Sequence, residues 1–178
     1  MEKKNKLIQV VLSLFIFIGF FIIANHLKRT ETIPLLLTYS SIFILLFIGL
    51  KNSSSLISIF ILGILIRGLF LFYIPELSQD FYRFIWDGNI QLLGINHYLY
   101  TPDHLIKILG FPNAEILYEG MGSLSTANFS NYPPVSQYLY KIMGYLNRGD
   151  LIVPVLSLRI IYFIGEIFVF FLGIKLLK

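Results

Sequence analysis

The sequence predicts an all-α, multi-pass membrane protein of about four spans, with a long outer loop containing interfacial amphipathic helices. Three observations carry this prediction. Of 178 residues, 56% are hydrophobic and 13% are charged, about half the ~25% charged fraction of soluble domains. The mean hydropathy is +0.76. The apolar residues gather into uninterrupted runs near the ~20 residues a helix needs to cross a bilayer. The net charge of +4 does not point to nucleic acid, because the lysines cluster at span ends, where the positive-inside rule places them. The chain has no cysteine, which excludes disulfides and thiolate metal sites.

The first span is expected at residues 7–24, preceded by Lys3, Lys4 and Lys6. A basic start also suits a signal peptide, but the run exceeds the ~7–15 residues of a signal core and no small-x-small cleavage site follows, so it reads as a retained anchor. The second span covers 34–50, with Pro34 suited to a first helical turn. Lys51-Asn52-Ser53-Ser54-Ser55 is a polar turn, 56–74 a third span interrupted by Arg67, and 151–174 a fourth containing Arg159 and Glu166. The division expected is therefore 1–74 (three spans), 75–150 (outer loop with interfacial helices) and 151–178 (last span). Six lysines (Lys3, Lys4, Lys6, Lys51, Lys175, Lys178) fall on one side of these spans, against Lys28 and Arg29 in the short opposite loop. That bias places both termini in the cytoplasm and 75–150 on the periplasmic or extracellular face of the cell membrane.

A loop of this length far exceeds the usual 2–8 residues between helices and is expected to carry structure or function. Residues 77–102 hold the only tryptophan, Trp86, together with Asp80, Arg83 and Asp87. Ser78 is a plausible N-cap. Asp80, Arg83, Asp87 and Gln91 recur at helical steps on one face, which predicts an amphipathic helix lying in the interface, although Gly88 weakens it by about 1 kcal/mol. Arg83 is within helical reach of both Asp80 and Asp87. The bland reading is a solvated ion-pair ladder worth about 0.3–0.5 kcal/mol per pair. The sharper reading rests on Asp80, six residues beyond Ile74 and hence within about 20 Å of the third span's end. A carboxylate there, at the positive end of a helix, suits a general base for a substrate carried by lipid.

Elsewhere in the loop, His97 reads as a polar surface residue, because no second histidine or paired carboxylate is placed at metal spacing; no metal and no cofactor are expected. Gly120-Met121-Gly122 is too sparse for a phosphate loop, and Asn52-Ser53-Ser54 and Asn128-Phe129-Ser130 match the glycosylation sequon weakly. Tyr132-Pro133-Pro134 is a stiff stop before a helix over 135–146, with Val135, Leu139, Ile142, Met143 and Leu146 on one side, which reads as another interfacial helix leading into the last span. Arg67 and Arg159 each lie roughly 10 Å inside their spans. Ionisable groups in spans cost about 2.5–3.5 kcal/mol and usually face a cavity or partner, so the two arginines are candidate lipid-phosphate ligands, with snorkelling to the headgroups as the alternative.

The block Ser78-Gln79-Asp80-Phe81-Tyr82-Arg83-Phe84-Ile85-Trp86-Asp87-Gly88, with Gly94-Ile95-Asn96, Tyr98 and Tyr132-Pro133-Pro134, resembles the amino-terminal half of bacterial mannosyltransferase-like proteins of the GT-C superfamily. The resemblance covers about residues 67–159. It implies a polyprenyl-phosphate sugar donor, a lipid or glycan acceptor, and Asp80 as catalytic base. Arg83, Asp87, Trp86 and Tyr82 would bind or orient substrate, and Arg67 would offset charge on the leaving phosphate. His97 departs from the family's usual proline. Members of that family are about twice as long, so the resemblance implies a fragment, a frameshifted product, or half of a split enzyme completed by a carboxy-terminal partner half. Two other classes fit the composition: a non-catalytic assembly or lipid-binding subunit, and a transporter or flippase fragment whose path Arg67, Arg159 and Glu166 would line.

Overall fold

The computed structural model describes residues 2–52 and 55–177, with side chains described for 7–51 and 55–177. All regular structure among the described residues is helical. In order these helices are α1 (Glu2–His26), α2 (Thr32–Asn52), α3 (Leu56–Phe70), α4 (Asp80–Leu92), α5 (Pro102–Leu105), α6 (Ala114–Thr126), α7 (Pro134–Leu146) and α8 (Ile152–Leu176). Three of them, α1, α2 and α8, are long and apolar enough to cross a membrane.

The third predicted span is shorter than expected. α3 has 15 residues, about 22 Å of rise, and ends at Phe70 rather than Ile74. Its last turns tighten, with Leu71 N–H donating to Gly68 O (3.3 Å) and Tyr73 N–H to Phe70 O (3.4 Å). Pro75 supplies a reason, since a proline disfavours helical geometry at the residue before it. The described end of the polar turn is Ser55, whose hydroxyl caps α3 by accepting from Ser58 N–H (3.3 Å). Ser53 and Ser54, the first sequon that contains them, and the side chains of Lys3, Lys4, Lys6 and Lys178 lie outside the described residues.

The chain forms two compact units, residues 1–77 with 170–178, and residues 78–169. In the first, α1 packs on α2 and α3 around Ile16, Ile23 and Ile42. Gly19 lets the helices meet: a Cβ there would lie 2.7 Å from Ile42 Cγ1. Phe20 meets Phe70 edge-on at 6.3 Å, and Phe60 stacks on Phe170 at 3.8 Å. Most large apolar side chains of α1 and α2 point outward, among them Val10, Phe15, Leu36 and Phe43, as helices bathed in lipid do.

The second unit is organised around α4, which packs on both α7 and α6. Its inner residues Phe81, Ile85, Trp86 and Ile90 are buried, and so are Arg83 and Asp87, at 3% and 1% exposure. The expected interfacial helix with a solvated charged face is therefore a central helix of this unit. α4 and α7 cross at a glycine pair, where a Cβ on Gly88 would sit 1.9 Å from Tyr140 O and one on Gly144 2.4 Å from Gly88 C. The glycine that weakened the helix prediction is what allows the two backbones to touch.

Of the apolar row expected along α7, Met143 is buried in the unit. Gln137, Tyr140 and Gly144 are buried with it, whereas Val135 and Ile142 are exposed. The face is chosen by the glycine contact and by Gln137, which reaches the Asp87 carboxylate, rather than by apolar count. Tyr132-Pro133-Pro134 behaves as expected, with Pro133 extended at the N-cap and Pro134 opening the helix.

Candidate functional site

The site is built at the amino-terminal end of α4. Asp80 is the first residue of that helix and is exposed. The residue at the cap position is Gln79, one later than expected. Ser78 still serves the end of the helix: its hydroxyl accepts from Asp80 N–H (3.2 Å) and donates to Asp80 Oδ2 (3.0 Å). The Asp80 side chain is thereby held against its own helix start while the residue stays exposed.

Gln79 and Tyr82, on either side of Asp80 in sequence, are seated on α6. Gln79 Nε2 donates to Met121 O (2.9 Å), a carbonyl freed by the break at Gly122, whose φ of 75° and ψ of 160° interrupt the helix. A Cβ on Gly122 would lie 2.7 Å from Gln79 Nε2, and one on Gly120 2.6 Å from the Tyr82 ring. Gly120-Met121-Gly122 is thus a seat for Gln79 and Tyr82. Sequence reasoning considered this triplet only as a phosphate loop, and two glycines flanking one residue were the available signal for close approach.

Arg83 does not bridge to Asp80. Its Nε donates to Asp87 Oδ1 at 2.8 Å, and its Nη1 donates to Ser125 O (2.5 Å) and Asn128 O (3.1 Å). Asp87 Oδ2 accepts from Ser130 Oγ (2.6 Å) and Gln137 Nε2 (2.9 Å), while Gln91 Nε2 donates to Gln137 Oε1 (3.0 Å). This buried network ties the 125–130 segment and α7 to α4, and its polar groups are satisfied by one another. Ser130, from the second sequon, is a buried part of it. Ser130 and Gln137 were missed in the sequence because they lie 43 and 50 residues from their carboxylate partner.

Trp86, at 1% exposure, packs edge-on against Phe111 at 5.0 Å. With Arg83 and Asp87 it supports α4 from inside, where no substrate reaches it without opening the unit. Tyr82 is partly exposed, its ring centre 4.0 Å from that of Phe81.

Beside Asp80 lies an aromatic cluster. Phe84 stacks on Tyr140 at 4.2 Å and meets Tyr132 edge-on at 4.9 Å, and Tyr98 Oη donates to Tyr132 O (2.6 Å). The Tyr132 phenol is pushed above its ordinary range, first by burial and then by the negative charge of Asp80, with Arg83 opposing and Asp87 adding. Asp80 and a half-buried tyrosine therefore share one electrostatic neighbourhood.

No protein-family model, curated protein or solved structure matches this chain.

The arginines placed in spans by sequence are described within their own units. Arg67 is exposed, and its Nη1 turns back to Gly63 O at 3.3 Å on α3. Arg159 is half-buried on α8. Among the described residues no group of three or more His, Asp or Glu side chains is placed to hold a metal.

His97 is not on the surface. It is 8% exposed, against the Tyr98 ring at 4.1 Å, and neither ring nitrogen has a hydrogen-bond partner. Burial pushes its imidazole below the ordinary 6.5; Asp87 raises it and Arg83 lowers it by smaller amounts. A neutral imidazole with both nitrogens unpaired forgoes about 1–3 kcal/mol per group. The unfolded state binds the proton first as pH falls below about 6.5, so this residue removes stability progressively toward the depressed folded value. His97→Leu is expected to raise the thermal midpoint in detergent and to flatten its decline below pH 6.5. An unchanged midpoint and slope would show that the imidazole has partners in solution.

Proposed function

We propose that this chain is a membrane glycosyltransferase, or its amino-terminal part, that transfers a sugar from a polyprenyl-phosphate donor to a lipid or glycan hydroxyl on the outer face. The observation that carries the reading is Asp80: an exposed carboxylate, fixed by Ser78 at a helix start, whose helix is buttressed from behind by a closed Arg83–Asp87–Ser130–Gln137 network. It is the charged residue of the SQDFYRFIWDG block that is exposed, Arg83 and Asp87 being buried, and that block is what resembles the GT-C enzymes.

In this reading Asp80 takes the proton of the acceptor hydroxyl. The oxygen forms a bond to the anomeric carbon, the bond from that carbon to the phosphate oxygen breaks with inversion, and polyprenyl phosphate leaves carrying the electron pair. Tyr82 and Tyr132 offer half-buried rings for the sugar. Arg83, Asp87 and Trp86 position Asp80 without touching substrate. Arg159, in the same unit as Asp80, is the candidate to meet the leaving phosphate, since guanidinium forks match its oxygens. The lipid-linked substrate suits a unit whose chain continues into α8, a helix of membrane length with Pro154, Val155 and Leu158 buried near its start. The full topology of the proposal has α3 as a fourth, short span and both termini cytoplasmic, with mannose as the sugar suggested by the resemblance.

Asp80→Asn is the direct test, in membranes containing the chain, supplied with a labelled polyprenyl-phosphate mannose and a lipid acceptor fraction. A positioned base contributes about 10²–10⁴-fold, so transfer is expected to fall by that factor while Trp86 emission stays unchanged. Undiminished transfer would remove Asp80 as the base. Absence of transfer in both proteins, with retained lipid binding, would favour the non-catalytic reading, which the sequestration of Arg83, Asp87 and Trp86 also suits.

A further inference from the structure

α7 has two faces: one is packed on α4, and the other is exposed among the described residues. Val135, Tyr138, Ile142 and Tyr145 are 75%, 73%, 43% and 62% exposed. They follow at steps of three, four and three, which aligns them in one stripe along the helix on the side opposite Tyr140 and Gly144. The stripe has a chemical grain. Tyr138 and Tyr145 carry polar tips on apolar rings, the type of residue that collects at bilayer interfaces. Lys141, three residues from Tyr138 and four from Tyr145, lies beside both, and the Arg148 guanidinium rests 5.7 Å over the Tyr145 ring. α7 contains no acidic residue.

Its location narrows what can cover it. Only residues 147–151 separate the end of α7 from the start of α8, at most about 18 Å of extended chain. The α7 stripe is therefore tethered close to where α8 meets the membrane surface. A second copy of the same stripe would bring cation against cation, whereas an anionic headgroup layer complements both.

We propose that the Val135–Tyr138–Ile142–Tyr145 face of α7 is seated in the headgroup layer of the bilayer, with Lys141 and Arg148 engaging anionic lipid phosphates. This surface is independent of sugar transfer. It makes α7 a two-sided element, with one side holding α4 through Gly144 and Gln137 and the other side resting on lipid. Amphipathic helices bind interfaces by this combination of apolar burial and attraction to anionic lipids, and a basic residue near an anionic surface contributes about 1 kcal/mol.

The absence of native cysteine allows a direct test with the full chain. Tyr138→Cys, Tyr145→Cys and, as a water-facing control on α6, Glu119→Cys are labelled with a nitroxide in phosphatidylcholine vesicles containing phosphatidylglycerol. The ratio of oxygen to nickel-chelate collisions reports lipid against water. The expected ratio is several-fold higher at 138 and 145 than at 119, with Trp86 emission confirming the fold of each variant. Equal, nickel-dominated ratios at all three positions would overturn the proposal. So would spin–spin broadening at 138, which would mean that a second copy covers the face. Adding Lys141→Ala and Arg148→Ala is expected to lower the ratio when phosphatidylglycerol is present and to leave it unchanged in phosphatidylcholine alone. No change in either vesicle would overturn the anionic-lipid contact.

Discussion

Gly88→Ala is expected to separate α7 from α4 and to expose the only tryptophan. The added Cβ would lie 1.9 Å from Tyr140 O and 2.6 Å from Tyr140 C. Both are backbone atoms of a helix and cannot swing aside as a side-chain tip would. Alanine favours a helix over glycine by about 1 kcal/mol, so local propensity alone predicts a gain. Overpacking opposes it with about 1–3 kcal/mol, occasionally more, and a rigid contact this short belongs at the top of that range. The net effect is a loss. Trp86, now 1% exposed, is expected to shift its emission to the red and to become open to an aqueous quencher. Gly144→Ala reports the same contact from the other helix and should behave alike, while Gly165→Ala, with nothing within 4 Å, should not. Blue, protected emission from both crossing variants would show that the glycine pair does not set the packing.

The second large effect is expected from Asp87→Leu. Removing this carboxylate strands the Arg83 guanidinium at 3% exposure and deprives Ser130 and Gln137 of their acceptor. Breaking one side of a buried ion pair costs about 3–5 kcal/mol, whereas replacing both sides with apolar groups is often neutral. The double variant Arg83→Met with Asp87→Leu should therefore recover part of the loss. It should not recover all of it, because Arg83 also holds Ser125 O and Asn128 O. Chemical denaturation followed through Trp86 separates these outcomes. A single Asp87→Leu variant as stable as the parent would mean that water reaches the network in solution.

The contrast in magnitude explains what the sequence hides. As a solvated ladder on a surface helix, Arg83 and Asp87 would contribute about 0.3–0.5 kcal/mol, some tenfold less than the loss expected here. Spacing cannot distinguish the two cases, because the groups that take these charges out of water come from residues 125–137. The membrane character of the chain and the positions of α1, α2 and α8 were legible because hydropathy over twenty residues is a local property. The existence of α4 and α7 was legible from periodicity. Which way they face was not. Apolar counting grouped Val135, Ile142 and Met143 on one side of α7, and the structure exposes the first two while it buries Met143 with Gln137 and Gly144. Two mid-helix glycines, Gly88 and Gly144, were the overlooked clue, since a glycine kept inside a helix often marks close approach of another backbone. The end of α3 was overestimated because hydropathy continues to Ile74 while Pro75 halts the helix. His97 was misplaced for the same reason as Asp87: a lone polar residue reads as surface until tertiary packing closes over it. Within the candidate site, the exposure of Asp80 at a helix start agreed with expectation, and the α6 seat beneath Gln79 and Tyr82 did not enter it.

The span between Asp87 and its last partner also has a meaning in time. Gln137 follows Asp87 by 50 residues. At roughly 5–20 residues per second of synthesis, that interval lasts about 3–10 s. Until Ser130 emerges, 43 residues on, Asp87 has only Arg83, on its own helix, to pair with, and the side of α4 that meets α7 has nothing to cover it. A helix with that composition binds an interface, so the nascent α4 is expected to wait on the membrane surface until α7 arrives to lift it off. The second unit would then close in one late step, gated by the emergence of residues 130–144 rather than by the insertion of the helices that precede them.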